Sequence, residues 1–201
     1  MEQTISWLFK KAKLNENEAS LWKSELYDLA LNISENLEQF ATKPVGKLIA
    51  EFNLEIIERI CPNVVNYLKS EQIYDHLYYI CFIINQGTGT PIHNDGFGPI
   101  YGLNIPILNC ENTSTVYYKA KFLPRRTVEG NSESFPAVGY GFWADEESAV
   151  EVGRLDATVP HWLDVTAPHK AEVFHDLLRI NCSIRFHDTI IDYLVKKYGK
   201  D

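Results

Sequence analysis

The chain is short of the features that mark several common protein classes. Its four cysteines, Cys61, Cys81, Cys110 and Cys182, are widely spaced and form no CxxC pair, so the usual cysteine signature of a metal or redox motif is missing. Three of them lie in apolar runs, where a free thiol behaves as a small buried hydrophobe. No apolar run approaches the ~20 residues that cross a bilayer. The start, residues 1–9, is too short, and too acidic at Glu2, for a signal peptide. The expected location is therefore cytoplasmic, and the sequons at Asn32, Asn112 and Asn181 read as chance. Positive charge is also scarce: 19 Lys and Arg stand against 27 Asp and Glu, a net −8. Such a surface repels nucleic-acid phosphates and anionic lipid. The clustered cations, Lys10, Lys11 and Lys13, then Lys119, Lys121, Arg125 and Arg126, read as solvated surface. Gly87-x-Gly89 lacks the third glycine of a dinucleotide loop and reads as a turn.

What is present is an ordinary globular composition over 201 residues, a length that fits one domain, 1–201, with helical decoration. Residues 1–70 read as the helical part. Asn15 or Asn17 caps a first helix in which Ala19, Leu21, Trp22, Leu26, Leu29, Leu31, Ile33, Leu37 and Phe40 recur mostly at three- and four-residue steps. Pro44 and Gly46 break it. A second helix is expected over 48–60, ending before Pro62, with a further short turn or helix over 64–68. From residue 77 the pattern changes to short β-branched and aromatic runs: 77–84, 91–95, 101–107, 115–120, 138–143, 149–152, 157–163, 171–174 and 177–186. Gly, Pro and Asn punctuate the gaps. Many short strands without alternating helices predict a mainly β sandwich or barrel with flanking helices, the N-terminal ones packed on one sheet. Residues 188–198 read as a terminal helix capped by Asp188.

Three constellations carry chemistry. In Pro91-Ile92-His93-Asn94-Asp95-Gly96, residues two apart on a strand project to one side, so His93 and Asp95 share a volume. An imidazole and a carboxylate so placed supply two ligands of a 2-His-1-carboxylate triad; alone, HxD also fits a surface histidine and a turn-capping aspartate. The stretch 179–186 alternates over eight positions. Ile180, Cys182, Ile184 and Phe186 form an apolar face, and Arg179, Asn181, Ser183 and Arg185 a polar one. On an edge strand that polar face would meet water. Inside a barrel an Arg there requires an anionic partner, and a bound dicarboxylate meets the need because a guanidinium grips carboxylate bidentately. The third element is a distal histidine. His161, 18 residues before Arg179, is favoured; His169, which follows Pro168 in an expected loop, comes next. His175 and His187 sit at an expected turn and a strand end.

His93-x-Asp95, His161 and a downstream strand Arg together resemble the 2-oxoglutarate- and iron(II)-dependent oxygenase superfamily. Arg179-x-Asn181-x-Ser183-x-Arg185 is similar to the Arg-x-Asn-x-Thr-x-Arg signature of AlkB-type demethylases, with Ser in place of Thr. The runs 101–107 and 183–186 look like oxygenase domains often found in phages and bacteria. The resemblance covers about residues 78–187 and implies a double-stranded β-helix (jelly-roll) core over 77–187. It implies iron at His93, Asp95 and His161, and 2-oxoglutarate held by Arg179, with Arg185 as second choice or helper. Asn181, Asn85, Tyr78 and Asn104 would complete the cosubstrate pocket. The activity implied is dioxygenase hydroxylation of a C–H bond in a small molecule or protein side chain, coupled to cosubstrate decarboxylation. Aspartate at 95 favours hydroxylation over halogenation, since its carboxylate occupies the site a halide would need. No nucleotide-recognition lid or basic groove is recognisable. Phe142, Trp143 and Trp162 are candidates for an apolar substrate mouth or for core packing. The competing readings are a non-catalytic jelly-roll binding module and a cupin-like metalloenzyme that does not use 2-oxoglutarate.

Overall fold

Asn15 starts the first helix. Its side-chain oxygen accepts from the Glu18 amide at 2.9 Å, while the Glu18 carboxylate accepts from the Asn15 amide at 2.9 Å. This reciprocal capping satisfies two amide donors that a helix start leaves open. The structure, a computed structural model, describes residues 6–41, 47–50, 54–95, 100–121 and 142–200. Helix α1 (Glu16–Ile33) buries Trp22, Leu26, Leu29 and Ala30 on one face. It ends at Ser34, whose backbone is extended, and a single turn α2 (Glu38–Ala41) follows, so the helical run expected to residue 40 is broken in two. Pro44 and Gly46 lie outside the described residues.

The helix expected over 48–60 is half strand: β2 (Lys47–Ala50) pairs with β3 (Leu77–Gln86), and only α3 (Leu54–Ile60) is helical. The pairing satisfies the backbone groups of an otherwise open β3 edge, and that tertiary gain overrides local propensity. Helix α4 (Pro62–Ser70) carries proline at its first position, where no amide is needed.

The strands form two antiparallel sheets. The six-stranded sheet has the order β1 (Phe9–Lys11), β9 (His161–Asp164), β5 (Tyr101–Leu108), β11 (Leu178–Phe186), β3, β2. The five-stranded sheet runs β7 (Phe142–Trp143), β4 (His93–Asn94), β10 (His169–Val173), β6 (Thr113–Lys119), β8 (Val150–Asp156). Strand β1 was not anticipated, and 138–141 lie outside the described residues. Contacts such as the Phe9–Tyr117 ring stack, at 5.8 Å, join the sheets face to face. The chain thus has a mainly β, jelly-roll core with flanking helices.

Alternation along β11 divides the molecule. Ile180, Cys182, Ile184 and Phe186 join Ile80, Phe82, Ile84, Leu103 and Ile105 in one apolar core with Trp22, Leu26, Val64 and Leu68 of the helices. Trp162 belongs to this core. It is fully buried, its indole donates to Tyr198 Oη at 3.1 Å, and its ring packs against Phe186 and the terminal helix α5 (Ile191–Tyr198). Of the two roles expected of Trp162, substrate mouth or core packing, this placement is core packing: strand parity turns it away from the space between the sheets. Among the described residues no helix is long and apolar enough to cross a membrane.

Candidate functional site

The other face of β11 points between the sheets. Arg179, Asn181, Ser183 and Arg185 are all buried there, and pairing places Asn85 opposite Arg179, Tyr79 and Gly102 opposite Arg185, and Asn104 opposite Ser183. Arg179 Nη1 donates to Asn85 Oδ1 at 3.3 Å, and the Ser183 hydroxyl donates to Asn104 Oδ1. Several buried polar atoms of this row have no hydrogen-bond partner among the described residues: Asn85 Nδ2, Arg179 Nε, Asn181 Oδ1, and Arg185 Nε and Nη1. Buried polar groups are normally satisfied, so the row has the character of a cradle for a polar ligand. Tyr78 does not belong to it. It lies at the irregularity between Arg185 and Phe186, with its ring 4.5 Å from His187. On β3 the residues of Asn85 parity are 79, 81 and 83, so Tyr79 takes the inward place expected of Tyr78.

Across the gap, β4 and β10 bring together His93, Asp95 and His169. Their ligand atoms all lie within 4.8 Å of one another, an arrangement that could hold a metal ion. His93 and His169 are paired in register, with ring centroids 4.7 Å apart. His93 Nδ1 lies 2.8 Å from Pro91 O and His169 Nδ1 2.9 Å from Ala167 O. A carbonyl only accepts, so each Nδ1 carries the proton and each Nε2 presents its lone pair, the tautomer a metal requires. Burial pushes the His93 pKa down and holds that of His169 at about 3, which keeps both rings neutral. Asp95 pairs with Arg185 Nη2 at 2.7 Å and faces His93 Nε2 at 3.6 Å. Burial would raise its pKa, but Arg185 and Lys47 hold it well below the usual carboxylate range.

His161 is not part of this group. It sits on β9 in the opposite sheet, paired with Asn104. Its Nδ1 donates to Val159 O at 2.8 Å, and its buried Nε2 has no partner among the described residues. The correction has a simple cause. Pro168 ends the 165–168 turn rather than a strand, the chain changes sheets there, and β10 begins at His169. The ring is neutral, because burial and then the nearby Arg179 hold its pKa at about 4.

Three further residues were not anticipated. Lys47 donates to Tyr79 Oη at 3.1 Å. Tyr117 packs 5.7 Å from the His169 ring. Gly102 gives Arg185 its room, since a Cβ there would lie 2.2 Å from Nη1. The isolated glycine in the apolar run 101–107 was the available signal for that close approach. Trp143 pairs through its backbone with His93, and Phe142 with Asn94; the side chains of both lie outside what is described.

No family model and no curated protein matches the sequence. Solved structures do match in shape. The non-heme alpha ketoglutarate dependent carbocyclase SnoK from nogalamycin biosynthesis aligns with TM-score 0.53 and 15% identity, over 90% of this chain and 79% of its own. The epimerase SnoN of the same biosynthesis aligns with TM-score 0.51 and 14% identity, over 90% and 77%. The chain shares the fold of these non-heme alpha ketoglutarate dependent enzymes.

Proposed function

We propose that the chain is an iron(II)- and 2-oxoglutarate-dependent dioxygenase, working as one domain and hydroxylating a small molecule. One observation carries this reading: His93, Asp95 and His169 converge within 4.8 Å with both imidazoles in the ligating tautomer, under a buried row of arginines. Two neutral imidazoles and a carboxylate on one side of a metal form the facial triad suited to iron(II). Arg179, with Asn85, Asn181 and the unpartnered His161 Nε2 near it, would receive the distal carboxylate of 2-oxoglutarate, for which a planar guanidinium is the matching donor. When bound, the metal and cosubstrate supply the oxidising chemistry. The protein's own residues orient both and exclude water. Arg185 holds the Asp95 carboxylate ionised and fixed, and the Pro91 and Ala167 carbonyls fix the two rings. Small-molecule work by SnoN and SnoK supports, by analogy of fold, a small substrate over a polypeptide.

Anaerobic addition of iron(II) and 2-oxoglutarate tests the reading. A visible charge-transfer band is expected in the wild type and in His161→Ala, and none in His169→Ala. Loss of the band in His161→Ala with retention in His169→Ala would refute the ligand set. Succinate release that does not depend on iron would refute the oxygenase reading.

A further inference from the structure

The interior between the sheets holds more positive charge than the proposed cofactors neutralise. Arg179 and Arg185 are buried there, and Lys47 enters from β2, since it pairs with Ile83 on the inward face of β3. Asp95 is the only buried carboxylate facing these cations among the described residues, and Arg185 already pairs with it. No carboxylate among the described residues lies within ion-pair distance of Lys47, which donates to Tyr79 Oη at 3.1 Å. Burial opposes its charge, but Cys81, Asp95 and Tyr79 raise its pKa, so it stays cationic. Iron(II) brings two positive charges and 2-oxoglutarate two negative ones, which cancel. Among the described residues three cations then face one carboxylate, and the cation left unmatched is the half-buried Lys47, where a charge away from bulk water favours an opposite partner.

We infer that the substrate is a small anion whose carboxylate or phosphate group binds at Lys47 and Tyr79 beside the metal. This rests on the oxygenase reading and extends it to the substrate class. Tyr79 accepts from Lys47, and among the described residues no acceptor meets its own hydroxyl hydrogen, so both groups donate to an oxyanion. Arg185, the cross-strand partner of Tyr79, adds its field from the adjacent strand. Strand β2 lies at the sheet edge beyond β3, so Lys47 approaches the metal from a different element than Arg179. The cosubstrate and substrate anions would thus be received by separate cations.

The test is calorimetric titration of benzoate and phenyl phosphate, with neutral benzamide as control, into protein holding manganese(II) and 2-oxoglutarate. Both anions are expected to bind and benzamide not to. Lys47→Gln should weaken anion binding about tenfold or more, the loss of one charge-assisted hydrogen bond. Lys47→Arg should largely restore it, and Tyr79→Phe should weaken it with the fold intact by circular dichroism. Equal anion affinity in wild type and Lys47→Gln would overturn the inference. So would weaker 2-oxoglutarate binding in Lys47→Gln, which would assign Lys47 to the cosubstrate. Absence of the charge-transfer band in wild-type protein defeats the oxygenase reading alone, because the same titration without metal or cosubstrate still reports whether Lys47 holds an anion.

Discussion

His161 shows how a buried ring reports on its surroundings. Its Nδ1 proton is committed to Val159 O and its Nε2 is buried without a partner, so protonation in the folded state would place a charge beside Arg179. Its pKa therefore falls from 6.5 to about 4. The unfolded chain binds a proton near 6.5 that the folded chain refuses until near 4, so this contribution to stability is full above pH 6.5 and is lost as pH falls through that window. In metal-free protein, denaturant unfolding between pH 6.5 and 4 should be less steep in pH for His161→Asn than for wild type, by about 1.4 kcal/mol per pH unit. An unchanged slope would show that the ring is not buried neutral.

At the scale of elements, two local devices set the geometry. Asn15→Ala removes the reciprocal cap of α1 and should cost about 1 kcal/mol by denaturant midpoint, with metal binding untouched. Gly89 acts differently. A Cβ there would lie 2.0 Å from Ala171 O and press on backbone atoms alone. That closeness lets the β3–β4 connection bond β10 twice, through Thr90 N to Ala171 O at 2.9 Å and Ala171 N to Thr90 Oγ1 at 2.8 Å. These bonds dock β4 against β10, and hence His93 against His169. Gly89→Ala should cost about 2 kcal/mol and also weaken manganese(II) affinity, where Asn15→Ala does not. The strand pattern itself was legible: the polar and apolar faces of β11 follow from alternation alone. The β2 strand was not, because Leu48 and Ile49 fit a helix until the β3 edge offers them partners.

For the whole molecule, the division into an apolar core under the helices and a polar interior between the sheets makes stability depend on ligation. The interior holds unpartnered buried donors that a bound group would satisfy. Metal at a hundredfold over its dissociation constant should add about 2.7 kcal/mol to wild-type stability. Thermal melts should show that gain with manganese(II) in wild type and not in Asp95→Asn, which also separates specific ligation from a general salt effect.

The sequence by itself determined what alternation and side-chain chemistry can carry: a mainly β chain, the His93–Asp95 pair on one side of a strand, and a row of polar groups from Arg179 to Arg185. It did not determine which histidine joins that pair: local pattern puts His161 on an expected strand and His169 in an expected loop after Pro168, and so favours His161. Only the passage of the chain from one sheet to the other between Asp164 and His169 decides it. The meeting of Lys47 with Tyr79 likewise depends on the pairing of β2 with β3, some 30 positions further along the chain. Such pairings depend on which sheet edge is open in the folded chain, and no local pattern encodes that.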